Sequence, residues 1–327
     1  MAAVAEPTMS VIALTCDRAE HLGRLLRELE RQAWRPFEVV VVVAPCEDNT
    51  DAVLAEFDGR IKVVRTAERN VSLSRNLGIS AAAGEVCVFI DDDALPADEL
   101  WLSRFGEALR ERDVFVGGPI MKNCGPEYEF LRGRTSGYGF HMPLVGKDEL
   151  PPDGRVWFAG VPGGNMALRR QALVAAGGFD EFYRYYLDET DLVLRCDRRG
   201  ISTEHLPDNP VYHFNAFSRF RINPADRDYF VLVSRHAYFA LKNARDRLLL
   251  RLIKALYGQT RWLRVIRRAR SEHGKSLTWL LGRAAAVATG VLWGCVAGLL
   301  RPRRTRDLSG CRPEPFRPFH RAEEGVN

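Results

Sequence analysis

The sequence predicts an α/β fold in which a mostly parallel β-sheet is covered by helices on both faces. Over roughly the first 120 residues, apolar runs rich in valine and isoleucine alternate with segments of helical periodicity. The run FEVVVVVA (37–44) is continuously apolar, which is typical of a strand that is covered on both sides. Alternation of this kind favours parallel strands joined by crossover helices, and ligands then bind at the carboxyl ends of the strands.

The elements of the first half follow in order. MSVIALT (9–15) is a buried strand, and leucines recur at i, i+3, i+4 and i+7 in the helix that follows over about 19–32. Strand 37–44, a short helix in DNTDAVLAEF and strand 61–65 come next. A helix over 72–84 is expected to begin at Ser72 and to end before Gly84. EVCVFI (85–90) is the fourth strand, and a helix over about 96–111 and the strand DVFVGG follow it.

The second half is less regular. Residues 123–153 show no clear period and are predicted to be a loop, and long loops in compact domains are often functional. Helices are expected over about 169–176 and 189–199, and one long helix is expected from about 225 to 253. The rest of the chain is expected to be helical and basic, and to end in a disordered Pro/Arg-rich tail.

Composition restricts the class of protein. The chain has 327 residues, 46% hydrophobic and 27% charged, which suits one sizeable domain with an appendage and excludes a disordered chain. Its seven cysteines are scattered without a C-x-x-C pair, so a disulfide framework and a zinc site are not expected. The N-terminal residues lack the pattern of a signal peptide. These observations favour a reducing, cytoplasmic compartment.

Positive charge is concentrated in the C-terminal third, in RWLRVIRRAR (261–270) and RPRRTR (301–306). Such a region suits contact with an anionic surface, either a membrane leaflet or a nucleic acid. A helix face that is simply solvated explains the same charges equally well. Residues 284–300 are uncharged, at the short limit for a bilayer span. A helix that packs on the protein or lies on a membrane surface is favoured over a spanning helix. We expect peripheral contact with the cytoplasmic face of a membrane and no nucleic-acid partner.

Three aspartates, Asp91, Asp92 and Asp93, follow the fourth strand directly. In an extended backbone Asp91 and Asp93 point to one side, where they would suit Mg²⁺ or Mn²⁺ bound with substrate phosphates. Asp92 is expected to point away and to be solvated or to cap. The alternative is that the three acids only begin a helix at Pro96, where the helix dipole favours anions. Their position at a strand end favours the metal site.

Two common phosphate-binding motifs are missing. No G-x-G-x-x-G opens a helix after the first strand, and Gly274-Lys275-Ser276 lacks the glycine that a P-loop requires at position 269, which is alanine. The chain instead contains four segments in order: TCDR (15–18), VVVVAPCEDNTDAV (40–53), NVSLSRNLGISAAAGEVCVFIDDDALP (70–96), and GGNMALRR followed by GGFDEFYRYYLDETDLVLR (163–170 and 177–195). Together they resemble a family 2 glycosyltransferase with the GT-A fold, over about residues 9–220.

The resemblance implies a site for a nucleoside-diphosphate sugar and a divalent metal, Mg²⁺ or Mn²⁺. It assigns Asp93 to the metal and Asp91 to the nucleotide ribose, and it makes His213 a second candidate metal ligand, although a structural role suits a lone histidine equally well. Other residues implied on the nucleotide-sugar side are Thr15, Asp17, Arg18, Glu47, Asp48, Arg75 and Asp92. The sequence Cys46-Glu47-Asp48 departs from the family pattern, which leaves the base-binding residues open.

The resemblance also implies an acceptor side. Asp188 and Glu189 match the acidic pair of the family, and Glu189 matches the general base that takes the proton of the acceptor hydroxyl. Gly163, Gly164, Asn165 and Asp191 are expected to line the acceptor pocket. The alternative is a structural role, in which the acids at 188–191 only complement the dipole at a helix N-terminus. Direct displacement by the activated hydroxyl would invert the anomeric carbon.

The resemblance divides the chain into a glycosyltransferase domain over 8–225, a basic helical region over 226–310 and a disordered tail over 311–327. Within the first domain, about 8–120 would bind the nucleotide sugar and about 121–225 the acceptor. The acceptor could be a glycan, a lipid-linked glycan or a small molecule. Two alternatives are a sugar-1-phosphate nucleotidyltransferase, which TCDRAEHLG argues against because it lacks a Gly-rich loop, and a non-catalytic nucleotide-sugar-binding protein.

Overall fold

The computed structural model describes residues 6–130, 132–136, 141–144, 157–216, 229–243, 247–259, 261–272, 274–300, 308 and 310–320. The first half of the chain alternates strands with helices. Its elements are β1 (Met9–Thr15), α1 (Ala19–Leu29), β2 (Phe37–Val43), α2 (Thr50–Ala55), β3 (Lys62–Arg65), α3 (Val71–Ala81), β4 (Val86–Asp91), β5 (Ala94–Pro96), α4 (Trp101–Leu109) and β6 (Phe115–Gly117).

The second half contributes short strands and then helices. The strands are β7 (Ile120–Lys122), β8 (Tyr128–Phe130), β9 (Arg132–Ser136), β10 (His141–Leu144), β11 (Trp157–Gly160), β12 (Asn165–Arg169), β13 (Thr203–His205) and β14 (Val211–His213). The helices are α5 (Arg170–Ala175), α6 (Asp188–Asp197), α7 (Tyr229–Asn243), α8 (Leu248–Gln259), α9 (Arg261–Glu272) and α10 (Leu277–Leu300).

The central sheet has seven strands in the order β13-β6-β12-β4-β1-β2-β3. Strands β4, β1, β2 and β3 are parallel, and β12 runs antiparallel between β4 and β6. The carboxyl ends of β1, β2 and β4 therefore lie side by side at one edge. The predicted α/β fold with a mostly parallel sheet is confirmed.

Both faces of this sheet are covered, as the continuously apolar strands predicted. Along β1 and β2 alternate residues enter two separate cores. Helices α1 and α4 pack on one face, and α3, α5 and α6 pack on the other. All seven residues of β2 are buried. The sheet is thus a rigid base for the loops at its carboxyl edge.

Several boundaries differ from the sequence prediction. Helix α3 is capped by the Asn70 side chain, which accepts the N–H of Leu73 at 3.1 Å, and not by Ser72. Helix α4 begins at Trp101 and not near Pro96, because residues 94–96 pair with β14 as strand β5. The predicted loop over 123–153 includes β8, β9 and β10, and the predicted long helix up to about 253 is two helices, α7 and α8.

Helix α10 packs along α7 through three glycines spaced four residues apart. A Cβ at Gly290 would lie 2.7 Å from the carbonyl oxygen of Phe230, one at Gly294 would overlap the carbonyl oxygen of Ser234, and one at Gly298 would lie 2.9 Å from Leu241 Cβ. Only glycine permits this close approach of the two helix backbones.

Helix α7 is in turn attached to helix α6 and to the loop before it. Lys242 Nζ lies 2.6 Å from Asp180 Oδ2 and 2.9 Å from Asp191, and Asn243 donates to Asp191 at 3.0 Å. Both aspartates are fully buried. The C-terminal helices are therefore packed on the first domain. The expected boundary at residue 225 lies outside the described residues.

The predicted disorder of the C-terminal tail is wrong for residues 311–320. Phe319 is fully buried against Phe37, with ring centroids 5.6 Å apart, and its N–H donates to the Phe37 carbonyl at 2.7 Å. The N–H of Arg317 donates to Glu38 Oε2 at 3.1 Å, and Lys62 Nζ donates to the Glu314 carbonyl at 3.1 Å. Apolar packing on the first domain orders this segment. Residues 321–327 lie outside the described part of the chain.

Candidate active site at the carboxyl edge of the sheet

The guanidinium of Arg18 lies against the aspartate triplet. Arg18, just after β1, places Nη1 2.7 Å from Asp92 Oδ1 and 3.0 Å from Asp93 Oδ1. The expectation that Asp92 is solvated was wrong, because it is buried and paired with Arg18. Burial raises the pKa of Asp92 from 3.8 to about 6, although Arg18 opposes this shift. The triplet also does not begin a helix, since β5 follows it.

Asp91, Asp93 and His213 form a candidate metal site. One ligand atom from each lies within 4.8 Å of the others. Two carboxylates and one imidazole are ligands that Mn²⁺ and Mg²⁺ sites can use, so the donor set fits a divalent ion. The N–H of Ala216 donates to Asp93 Oδ2 at 2.9 Å, and this fixes the orientation of that carboxylate. The two predicted metal ligands, Asp93 and His213, thus lie together with Asp91.

Glu129 is a residue that the sequence interpretation missed. Its Oε2 lies 2.8 Å from His213 Nδ1, so the other ring nitrogen, Nε2, faces Asp93 at 3.2 Å. Burial lowers the pKa of His213, but the hydrogen bonds to Asp93 and Glu129 outweigh it and raise that pKa from 6.5 to about 10. A carboxylate behind an imidazole orients it for a ligand, as in many metal sites. Glu129 lies in a stretch without periodicity, which gave no signal.

The nucleotide-side residues predicted on β1 and β2 lie on neighbouring strand ends. Asp17 Oδ1 accepts the N–H of Glu47 at 2.6 Å, and Asp48 accepts the N–H of Ala19 at 2.8 Å. Thr15 is buried at the end of β1, and its carbonyl accepts the N–H of Ala44. Glu47 and Asp48 are exposed. The two loops are therefore tied to each other and leave carboxylates facing solvent beside the triplet.

Gly163 and Gly164 lie against Arg75 and Asp91. A Cβ at Gly163 would overlap Arg75 Nη2, and a Cβ at Gly164 would overlap Asp91 Oδ2. Because they lack a Cβ, these glycines let the backbone pass directly over Arg75 and over Asp91 of the candidate metal site. They were predicted for the acceptor pocket, and in this structure they form the boundary between the triplet and the acidic pair.

Arg75 connects that boundary to the predicted catalytic acids. Its Nη1 lies 2.6 Å from Asp188 Oδ2 and 3.9 Å from Glu189 Oε2, and its guanidinium lies over the Phe179 ring. Arg75 and Asp188 are buried, whereas Glu189 remains partly exposed. The pair is thus held by one arginine, with Glu189 as the member that reaches solvent.

The loss of hydration on partial burial raises the pKa of Glu189 to about 8, and the charge of Asp188 adds to this shift while Arg75 opposes it. The backbone that precedes α6 is strained, because Arg184, Tyr186 and Leu187 all have positive φ (59°, 75° and 73°). Such strain persists only where surrounding contacts impose it, and it is common at active sites. A carboxylate with a raised pKa on a strained turn suits proton abstraction.

Two predicted acceptor residues are instead structural. Asn165 is fully buried; its oxygen accepts from Trp101 Nε1 at 2.9 Å, and its amide donates to the carbonyls of Pro119 and Asn209. Asp191 is fully buried and pairs with Arg195 at 2.8 Å as well as with the α7 residues. Each side-chain polar atom of Asn165 already has a partner within the fold, and the partners of Asp191 lower its pKa against the effect of burial. The predicted acceptor contacts of both residues are therefore corrected.

Aromatic residues beside Glu189 were also missed. Tyr185 and Tyr186 are exposed, although both are large apolar-bodied side chains. The Arg235 guanidinium lies 4.9 Å from the Tyr185 ring centroid, and the His236 ring lies 5.3 Å from that of Tyr186. The sequence FYRYYLDE does contain this cluster, but only the fold shows that α7 supports it. The two tyrosines thus lie exposed on the turn that precedes α6, three and four residues before Glu189 in the chain.

Comparison with known proteins finds relatives that are named as glycosyltransferases. The sequence pattern of Glycosyl transferase family 2 matches residues 10–175, just over half of the chain. A glucosyl-dolichyl phosphate glucuronosyltransferase of Haloferax volcanii is 26% identical over 190 residues, 53% of this chain and 56% of the relative. An N-acetylglucosaminyl-diphospho-decaprenol L-rhamnosyltransferase of Mycobacterium tuberculosis is 24% identical over 273 residues, which cover 70% of this chain and 85% of the relative. The chain thus spans little more than half of the first relative.

Solved structures agree on the fold. A mannosyltransferase from Pyrobaculum calidifontis in complex with GDP-Man and Mn²⁺ superposes with a TM-score of 0.54 at 17% identity, covering 90% of this chain and 88% of that one. S. aureus TarS 1–349 in complex with UDP-GlcNAc gives a TM-score of 0.57 at 16% identity, covering 87% and 81%. These likenesses confirm the expected GT-A fold. With the family pattern spanning half of the residues, the chain belongs to glycosyl transferase family 2.

Proposed function

We propose that this protein transfers a sugar from a nucleoside-diphosphate sugar to an acceptor hydroxyl with inversion at the anomeric carbon. One observation carries the proposal. Two adjacent glycines, Gly163 and Gly164, lie directly over Arg75 and Asp91, so the metal cluster and the acidic pair share one boundary. A donor diphosphate on one side and an acceptor hydroxyl on the other would meet there.

The donor side is proposed to hold the diphosphate. Asp91, Asp93 and His213 would hold Mg²⁺ or Mn²⁺, which when bound would neutralise the negative charge of the departing diphosphate. Arg18 keeps the triplet compact by pairing with Asp92 and Asp93. Asp17, Glu47 and Asp48, at the adjacent strand ends, are proposed to contact the ribose and base.

The acceptor side is proposed to supply the base. Glu189 Oε takes the proton from the acceptor hydroxyl as its oxygen attacks the anomeric carbon, and the bond to the diphosphate oxygen breaks in the same displacement. One displacement at that carbon gives inversion. Asp188 and Arg75 hold Glu189 in place, and burial keeps its proton affinity high.

The acceptor is proposed to be a lipid-linked glycan at the cytoplasmic face of a membrane, in glycoconjugate biosynthesis. The two relatives are named for a dolichyl phosphate and a diphospho-decaprenol. The exposed Tyr185 and Tyr186 beside Glu189 suit a sugar ring, because aromatic faces stack on its apolar C–H surface. A soluble glycan or small molecule is the alternative acceptor.

A panel of nucleotide sugars with Mn²⁺ tests the reaction class by release of nucleoside diphosphate. We expect slow release with one donor, loss of release in EDTA, and loss in Asp93→Ala. Glu56→Ala, at an exposed acid that follows α2 and pairs with Arg27, is the control and should keep full release. Release that continues in EDTA, or in Asp93→Ala at the parental rate, would refute the metal role.

A further inference from the structure

Helices α8 and α10 present an uncommon surface to solvent. A water-facing helix normally carries charged residues on its exposed side, yet α10 has no charge from residue 284 to residue 300. Leu249 and Leu292 are 70% and 66% exposed. The apolar face that we define here consists of Leu248, Leu249, Leu250, Ile253 and Leu256 of α8, and Leu281, Leu292, Trp293, Leu299 and Leu300 of α10, all exposed. Exposed apolar residues in this number indicate a binding surface.

The opposite side of α10 packs against the rest of the protein. Its glycines contact the backbone of α7, and α7 is fixed to α6 through Lys242 and the buried Asp191. By length and composition α10 is the one candidate membrane span in the described residues, and only 33% of its apolar window is buried. A helix held along the catalytic domain in this way lies on a surface more readily than it crosses a bilayer.

Positive charge accompanies the apolar face. Helix α9 packs against α8 and α10 and buries Trp262 and Ile266, while it exposes Arg264, Arg267 and Arg268. An apolar face beside a cationic helix is typical of proteins that lie in the interface of an anionic membrane.

A cationic cleft opens at the junction of α8 and α10. It has a volume of about 530 Å³, and its rim includes Leu248 and Leu299 of the apolar face. The charged residues of its lining are Arg195, Arg198, Arg199, Lys242 and Arg251, and the described lining includes no acid.

The charges in this cleft are only partly neutralised. Lys242 and Arg195 pair with Asp191 behind it. The hydrogen bonds of Arg199 and Arg251 go to the carbonyls of Arg195 and Leu241, and within the described residues neither side chain forms an ion pair. Net positive charge therefore faces the cleft, directly beside exposed leucines.

We propose that the apolar face and this cleft form one docking surface for a bilayer of anionic phospholipid. The leucines enter the acyl boundary, and lipid phosphates lie between Arg199 and Arg251, since guanidinium groups bind phosphate well. A second copy of the chain fits less well, because it would bring two basic surfaces together. This docking does not depend on the proposed transfer reaction.

Vesicle co-sedimentation of the full chain tests the proposal. We expect the protein to bind vesicles that contain both phosphatidylglycerol and phosphatidylcholine, and not to bind vesicles of phosphatidylcholine alone. Added salt should release the bound protein. Leu249→Glu/Leu292→Glu lowers binding about tenfold or more, because two leucines leave the acyl boundary. Arg199→Gln/Arg251→Gln lowers it about fivefold per arginine at low salt. Leu100→Glu, at an exposed leucine before α4, binds as the parent does.

Three results would overturn the proposal. One is equal binding by Leu249→Glu/Leu292→Glu and the parent. Another is a dimer in light scattering that these substitutions dissociate, with no vesicle binding by the parent, which would assign the face to a second copy. The third is resistance of bound protein to alkaline carbonate extraction, which would show α10 inserted across the bilayer. Diphosphate release with a soluble acceptor should be unchanged in Leu249→Glu/Leu292→Glu, so failed docking and failed catalysis are separable.

Discussion

At the scale of single residues, the site is organised by cations that hold carboxylates together. Arg18 holds Asp92 and Asp93, and Arg75 holds Asp188 beside Glu189. These buried ion pairs are costly to form, and breaking one of them leaves an uncompensated charge. The arrangement therefore serves the geometry of the site more than stability.

The raised pKa of Glu189 predicts the pH dependence of turnover. The base must be a carboxylate, so a pKa near 8 means that kcat/KM rises as pH increases through that value and is lost below it. Asp188→Asn removes a charge that contributes to the shift and should move this limb to lower pH. A pH profile of kcat/KM tests both; a flat profile between about pH 6 and 9 would contradict the assignment.

At the scale of elements, the interface of α7 and α10 depends on small residues. Gly294 meets the carbonyl of Ser234, whereas a Cβ at Gly282 of the same helix would meet nothing within 4 Å. The two glycines are thus a matched pair in one helix, one packed and one open.

Gly294→Ala and Gly282→Ala should change stability in opposite directions. Alanine favours the helix by about 1 kcal/mol at either position. At 294 the added Cβ forces α7 and α10 apart, and overpacking of this kind costs about 1–3 kcal/mol. Thermal unfolding should show a lower Tm for Gly294→Ala and an unchanged or higher Tm for Gly282→Ala. Stabilisation by both would mean that the helices do not pack in this way.

At the scale of the whole molecule, the C-terminal segment closes the chain back onto the first domain. Phe319 enters the core beside β2, and Glu38 is buried with Lys62 at 2.9 Å while it accepts the N–H of Arg317. The helices after residue 229 are thus held at both ends, through α7 and through this segment.

Phe319→Ala should destabilise the whole protein. Removal of a buried phenylalanine leaves a cavity and costs about 3–5 kcal/mol. Phe316, three residues earlier and only half-buried, is the control, and Phe316→Ala should cost clearly less. Urea unfolding monitored through the first domain measures both. Equal midpoints for Phe319→Ala and the parent would show that the segment is not docked.

How far the sequence predicted this molecule depends on the range of the contacts. The position of Asp91 and Asp93 at a strand end was predicted from a local pattern, whereas the roles of Arg75 and Glu189 were implied by the resemblance to the family. Glu129 and Phe319 were missed, because their partners His213 and Phe37 lie far away in the chain.

The same limit explains the corrected residues. Asn165 and Asp191 have the polarity of ligand-binding residues, and their sequence neighbours are site residues. What removes them from the site is the set of distant groups that occupy their polar atoms, Trp101 for one and Lys242 for the other. Such pairings depend on the packing of separate elements, which no local pattern encodes.

The role of Glu189 as the base is tested by comparing Glu189→Gln with the parent in two assays on the same preparation. Glutamine keeps the shape of the side chain but does not accept the acceptor proton as a carboxylate does. We expect the donor and Mn²⁺ to protect both proteins equally against thermal unfolding, while sugar transfer falls about 10²–10⁴-fold in Glu189→Gln. Transfer at the parental rate by Glu189→Gln would show that Glu189 is not the base.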